Sequence, residues 1–276
     1  MNISLDSNCP ISKDKIEKYE SFIQKLDDPI NKSYLPNLYC VLLQASFEVD
    51  ENKEKFSIDN QSLFTGQLLS KFINEGWAII GCFERAAFLS NYHHIRAALE
   101  LIATYNWVFY KNNKIERRIN KYFEFMDLFS YQLYLKYGDN KSSEYLPFFK
   151  NINIEKINSW KAKEEFWMKL YSLRNNDLSE IKNWHYPASI ENILNEFSNK
   201  KLKMFYEEFS HGTHLSPYSH SLGTDDTILG LPIGIDGDLS DINRPLVIYL
   251  ESFEFLLSCI EKVKSFNSKI KFPIIN

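Results

Sequence analysis

The stretch from Ile95 to Tyr110 constrains this chain more than any other part of it. Over those positions only Arg96 and Glu100 carry charge, four residues apart among apolar and aromatic side chains. Helical spacing puts the two on one face, which Ala103 and Trp107 continue, while Ile95, Leu99, Ile102 and Phe109 cover another. A helix that is apolar nearly all round is a buried helix. Burying a guanidinium and a carboxylate is costly unless they pair and gain further hydrogen bonds, so a polar partner is expected on that face. Two readings are open at this point. The pair is an internal strut tying helices together, or it is a pocket floor where Arg96 offers its planar donor fork to an anion such as phosphate.

Helical periodicity governs the rest of the chain. Ser12 caps a helix with Ile16, Tyr19, Ile23 and Leu26 on one face, ended by Asp27-Asp28-Pro29. A helix after Pro36 aligns Leu38, Leu42, Ala45 and Val49. Residues 61–89 align Leu68, Phe72, Ile79 and Phe83, with Gly76 and Gly81 marking points where another helix can come close. Ile115 to Leu133 is amphipathic and stops at Gly138; Ile154 to Leu173 carries Trp160 and Trp167 on one side; Ser189 caps a helix through Phe197, followed by another over Leu202 to Phe209. Glycine and proline then accumulate from Ser210 to Pro245, a long irregular connection of the kind that often carries function. A last helix, 245–268, opens with Pro245 at its first position. No strand set, repeat or linker stands out. The expected fold is all-α: one domain over residues 1–276, a multi-helix bundle with one long irregular loop before the C-terminal helix.

Composition narrows the function classes. With 276 residues, 44% hydrophobic and 25% charged, the chain has ample material for a core and a globular make-up. A net charge of −4 excludes a globally basic, nucleic-acid-coating surface. Lys111, Lys114, Arg118 and Lys121 do form a local basic stripe at helical spacing, read as a solvated face with RNA or DNA contact as the alternative. The 15% aromatic content reads as a core of large rings, or as a platform for stacking bases. Cys9, Cys40, Cys82 and Cys259 are scattered; the last three sit in apolar helical stretches and read as small buried hydrophobes. No disulfide framework, signal peptide or bilayer-length apolar run is visible, which places the protein in the cytoplasm with no membrane partner. The P-loop, G-x-G-x-x-G, H-E-x-x-H and G-x-S-x-G patterns are missing, and no cofactor is expected.

Three of the six histidines, His211, His214 and His220, follow directly on Ser210. Gly212 reads as a helix C-cap, which puts His211 and His214 at or just past a helix end, where the negative terminus favours imidazolium. A histidine there can act as a general acid or base near neutral pH, or can simply bond the helix-end carbonyls. The spacing H-x-x-H-x-x-x-x-x-H is no zinc pattern, and Asp236 to Asp241 lacks the EF-hand spacing, so no metal is expected. His93-His94, a turn before Arg96, either extends its polar patch or forms an exposed helix start.

The order of these features resembles a known group. Arg96-Ala-Ala-Leu-Glu100, the aromatic run Tyr105 to Tyr110, Trp160, and Tyr206-Glu-Glu-Phe-Ser210 leading into His214 are similar to bacterial helical proteins with an R-x-x-x-E helix and a late S-x-x-x-H stretch. Those proteins are distantly HEPN-like and often linked to phage defence, and the similarity spans about residues 60–222. The resemblance implies a toxin-like, metal-independent ribonuclease, commonly a homodimer, acting on RNA. It implies that Arg96 contacts phosphate, Glu100 orients Arg96 and His214 shuttles a proton, with Ser210 and His211 nearby. The chain departs from HEPN ribonucleases in lacking R-x(4-6)-H; Arg85 and His93 are the nearest approach and are too widely spaced. The alternative is a non-catalytic binding or regulatory subunit of a defence system, with a partner protein and with Arg96–Glu100 as a strut.

Overall fold

A computed structural model describes residues 33–84, 90–110, 112–137, 153–175, 177–196, 199–213, 239–264 and 268–272. Among the described residues there are nine α-helices and no strand, the expected all-α fold. The chain divides into two compact units: residues 1–103 with 198–276, and residues 104–197.

Unit 1 contains α1 (Leu35–Glu51), α2 (Asn60–Glu84), the larger part of α3 (Ser90–Phe109), α8 (Lys200–Thr213) and α9 (Leu239–Lys264). Pro36 sits in the first turn of α1, where its missing N–H is no loss. Asp59 Oδ1 accepts from the Ser62 N–H at 2.7 Å and satisfies one of the free donors at the start of α2. The close approach expected at Gly76 is present. A Cβ there would lie 2.6 Å from both Leu42 Cδ2 of α1 and Tyr249 Oη of α9. The buried Tyr249 stacks on Phe72 with ring centroids 4.8 Å apart and donates its hydroxyl to the Phe72 carbonyl at 2.5 Å. Phe253 packs on the same Phe72 ring at 5.0 Å. These aromatic rings are core, as the composition suggested.

Several boundaries differ from the sequence expectation. α9 begins at Leu239 and carries Pro245 inside it, so the proline is not its first residue. Proline lacks one N–H and crowds the preceding turn, but here the following turns are deeply buried through Leu246, Tyr249, Leu250 and Phe253, and tertiary packing holds the helix through it. Gly212 lies within α8 instead of capping it, which puts His211 in the last helical turn. Both ends of the expected 210–245 loop are thus helical. The Ser12 helix, Cys9, His214, His220 and the 214–238 segment lie outside the described residues. Cys40 is exposed, on the face of α1 away from the buried Leu38 and Leu42, and Cys82 and Cys259 are only partly covered, so the reading as buried hydrophobes is corrected.

Unit 2 contains the end of α3, then α4 (Ile115–Tyr137), α5 (Ile154–Ala162), α6 (Glu164–Tyr171), a 3-10 turn (Leu178–Glu180) and α7 (Ile190–Asn195). Periodicity predicts one helix over 154–173, but the chain breaks at Lys163 into α5 and α6. Lys163 reaches Glu124 at 3.0 Å and Asp127 at 3.2 Å on α4, while Trp160 and Trp167 on either side of the break both enter the core. That core joins Leu128 and Tyr131 of α4 to the two tryptophans, Leu170, Tyr171, Leu178 and Ile181. The Trp167 indole is satisfied by Glu124 Oε2 at 2.9 Å. Ser189 caps α7 as expected, its hydroxyl accepting from the Asn192 N–H at 3.1 Å. α6 ends at Ser172, whose φ of 57° lies in the left-handed region. No helix among the described residues is long and apolar enough to cross a membrane.

Candidate functional site

Unit 1 brings the expected pair together and adds a third member. Arg96 Nε donates to Glu100 Oε1 at 3.1 Å, one turn along α3. The Tyr206 hydroxyl, from α8, donates to the same oxygen at 3.0 Å. The Arg96 guanidinium also lies over the Tyr206 ring, 5.6 Å from its centroid. Ser210, one turn further along α8, hydrogen-bonds Tyr206. The polar partner demanded by an ion pair on an apolar helix is therefore a tyrosine from a distant helix. The surrounding α3 residues Ile95, Leu99, Ile102 and Ala103 are fully buried, yet Arg96 and Glu100 keep 27% and 33% side-chain exposure. The pair is open on one side, not sealed in the core.

Burial and neighbouring charges shift Arg96 and Tyr206 in this group. Burial opposes the charge on Arg96, but Tyr206 and then Glu100 outweigh it and its pKa is raised. Burial raises the Tyr206 pKa, against the Ser210 hydrogen bond and with the help of the Glu100 charge. Tyr206 is thus a neutral phenol that donates to a carboxylate. Of the other expected site residues, His211 is helical without a described side chain and His214 lies outside the described residues. His94 faces α2 and pairs with Glu75, Nδ1 to Oε2 at 2.7 Å, while His93 is exposed. The sequence signals the part of Tyr206 only through its spacing of four before Ser210.

Unit 2 holds a second arrangement, of which the sequence shows only the basic stripe. A cavity of about 1040 Å³ opens beside the start of α4, the end of α6 and the His185–Ala188 turn. Lys114, Arg117, Arg118, Lys121 and Arg174 line it, opposed by Glu180 and Glu196. Arg118 and Lys121 are only 7% and 6% exposed, which corrects the reading of the basic stripe as a solvated face; Lys114 is exposed as expected, and Lys111 lies outside the described residues. Arg118 donates to the carbonyl of Trp107 and stacks over its ring at 4.1 Å. Lys121 Nζ donates to the Tyr186 carbonyl at 2.5 Å and lies 4.8 Å from the Tyr171 ring centroid. Arg117 grips the end of α6, with the Leu170 carbonyl accepting at 2.7 and 2.9 Å and the Ser172 hydroxyl also accepting. Burial first, then Arg117 and Arg118, bring the Lys121 pKa down to about 8. Burial likewise lowers Arg118, partly offset by Glu196. His185 Nδ1 lies 2.7 Å from the Ala188 carbonyl and must be the protonated nitrogen, since a carbonyl only accepts.

Comparison of the chain with protein-family models, with curated proteins and with solved structures gave no match.

Proposed function

We propose that unit 1 carries a phosphate-directed site built on Arg96, Glu100, Tyr206 and Ser210, and that the protein is an effector that cleaves RNA without metal. The observation that carries this reading is the hydrogen bond from Tyr206 to Glu100, because it sets the middle of α8, one turn before Ser210, beside Arg96. The chain leading into His211 and His214 then starts beside a guanidinium that is partly open to solvent. Arg96 supplies positive charge for a phosphate, and Glu100 and Tyr206 hold its orientation. A histidine removes the proton of the ribose 2′-hydroxyl, which attacks the neighbouring phosphorus. The bond to the 5′-oxygen breaks, that oxygen takes up a proton, and a cyclic phosphate remains.

The test is incubation of the full chain with total RNA and with DNA of similar length, both in chelator. Cleavage of RNA but not DNA, lost in Arg96→Ala and in His214→Ala, is the expected result. Intact RNA at high wild-type concentration, with variants indistinguishable from it, sinks the reading. A toxin-like or phage-defence setting predicts slowed growth of a bacterial host expressing wild type, relieved by the same variants.

A specific observation favours a second reading. Arg96 and Tyr206 both donate to one oxygen of Glu100, so the three polar groups satisfy each other without a ligand. On that reading the group is a strut in a binding or regulatory subunit. Tyr206→Phe then lowers thermal stability by about 1 kcal/mol and changes no activity.

A further inference from the structure

We propose that the cavity of unit 2 is a binding site for a small molecule carrying a chain of two or more phosphates, such as pyrophosphate or a nucleoside di- or triphosphate. Nothing in the ribonuclease reading uses this cavity, and the inference does not rest on it.

Charge is the first argument. Among the described residues, five cationic side chains line the cavity against two carboxylates, an excess of three positive charges. A chain of two or three phosphates matches that excess at neutral pH, and a single phosphate does not.

Burial is the second. No ion pair among the described residues includes Arg117, Arg118 or Lys121. Among the described residues, Arg118 and Lys121 are held only by backbone carbonyls, ring faces and the longer-range field of Glu196. Clustering buried cations with no direct carboxylate partner works against folding, and that cost is offset when an anion arrives. Carbonyls and aromatic faces position the two cations without neutralising them.

Shape is the third. A cavity of about 1040 Å³ stands at the upper end of what ligand-sized pockets occupy, far more than one phosphate needs. The rigid backbone of a duplex would meet the exposed cations but not the two buried ones, whereas a slender phosphate chain reaches both. The partly exposed Tyr186 adds aromatic wall beside the charges, which suits an attached base.

Titration calorimetry of the full chain tests this with ATP, ADP, AMP, pyrophosphate, adenosine and a single-stranded DNA oligonucleotide. Affinity is expected to rise with phosphate number, with adenosine silent. Pyrophosphate binding as well as ATP means that the phosphate chain alone is read. ATP binding at least tenfold tighter means that the nucleoside is read too, and either result supports the proposal. Lys121→Met and Arg174→Ala should each weaken ATP at least tenfold. The exposed Arg174 protects the test against a folding defect in the first variant, and Arg244→Ala, outside the cavity, should leave affinity unchanged.

A proton signature sharpens the readout. Lys121 shares the cavity with Arg117 and Arg118 on its own helix, Tyr171 from α6, His185 and Tyr186 from the turn, Lys114 and Arg174, and the carboxylates Glu180 and Glu196. Near pH 8 it is part-neutral, so an arriving polyanion pulls a proton onto it. The binding heat should then depend on the buffer's ionisation heat, and this dependence should vanish in Lys121→Met. The proposal is overturned if no phosphate probe binds the folded wild type, if both cavity variants bind ATP as wild type does, or if only the oligonucleotide binds.

Discussion

Lys121 shows how a residue's position can reverse its ordinary energetics. A lysine brought from 10.5 to about 8 pays a charging penalty on the order of 3 kcal/mol below its folded pKa. The sign of the pH dependence follows. Between about 8 and 10.5 the unfolded chain holds this proton and the folded chain does not, so the lysine makes stability rise with pH across that window. Lys121→Met removes the penalty and should raise ligand-free stability by roughly 1–2 kcal/mol below pH 8, after loss of the carbonyl and ring contacts. The advantage over wild type should shrink as pH climbs towards 10.5, as followed by thermal melts across pH. A variant less stable than wild type at every pH would mean that the cation contributes net stability. None of this was legible in the sequence. Arg118 and Lys121 sit at helical spacing with Lys114, and that pattern normally marks a solvated face. What buries them comes from Trp107, Tyr171 and Tyr186, and periodicity along one helix says nothing about neighbours that far away.

At the scale of elements the sequence is a better guide. Helices α1 to α4 follow from their apolar period, the Ser189 cap from its side chain, and the approach at Gly76 from the absence of one. The boundaries that depart from local preference share a cause. Lys163 breaks a helix and Pro245 fails to start one because tertiary packing outweighs local preference at both. The Arg96–Glu100 face was legible as needing a partner, but which helix supplies it was not. Gly76 permits a direct test of element packing. Gly76→Ala places a methyl carbon 2.6 Å from Tyr249 Oη and Leu42 Cδ2, and should destabilise by about 1–3 kcal/mol. In a Tyr249→Phe background the hydroxyl is gone, so the same substitution should cost less by at least about 0.5 kcal/mol. Strict additivity in denaturant melts of the four proteins would show that the helices separate instead.

For the whole molecule, the order of segments matters as much as the packing within each unit. Unit 2 is one continuous stretch, residues 104–197, whereas unit 1 is assembled from segments on both sides of it. A core such as that of Tyr249 on Phe72 joins residues 177 positions apart, and the α3–α8 bond between Glu100 and Tyr206 spans 106. Such closures are slow relative to local ones. During synthesis, residues 104–197 are all available before α8 and α9 have been made, so unit 2 can complete its core while α1 and α2, which pack on each other, and most of α3 still lack α8 and α9. Ribosome-bound chains halted once residue 197 has cleared the exit tunnel should therefore show protease protection over unit 2, with the segment before it still cleaved. Equal protection of both segments at that length would contradict this order. If unit 2 folds first, the cationic cavity forms in the nascent protein before Tyr206 can reach Glu100, and a polyphosphate in the surrounding solution would be met by a half-made molecule.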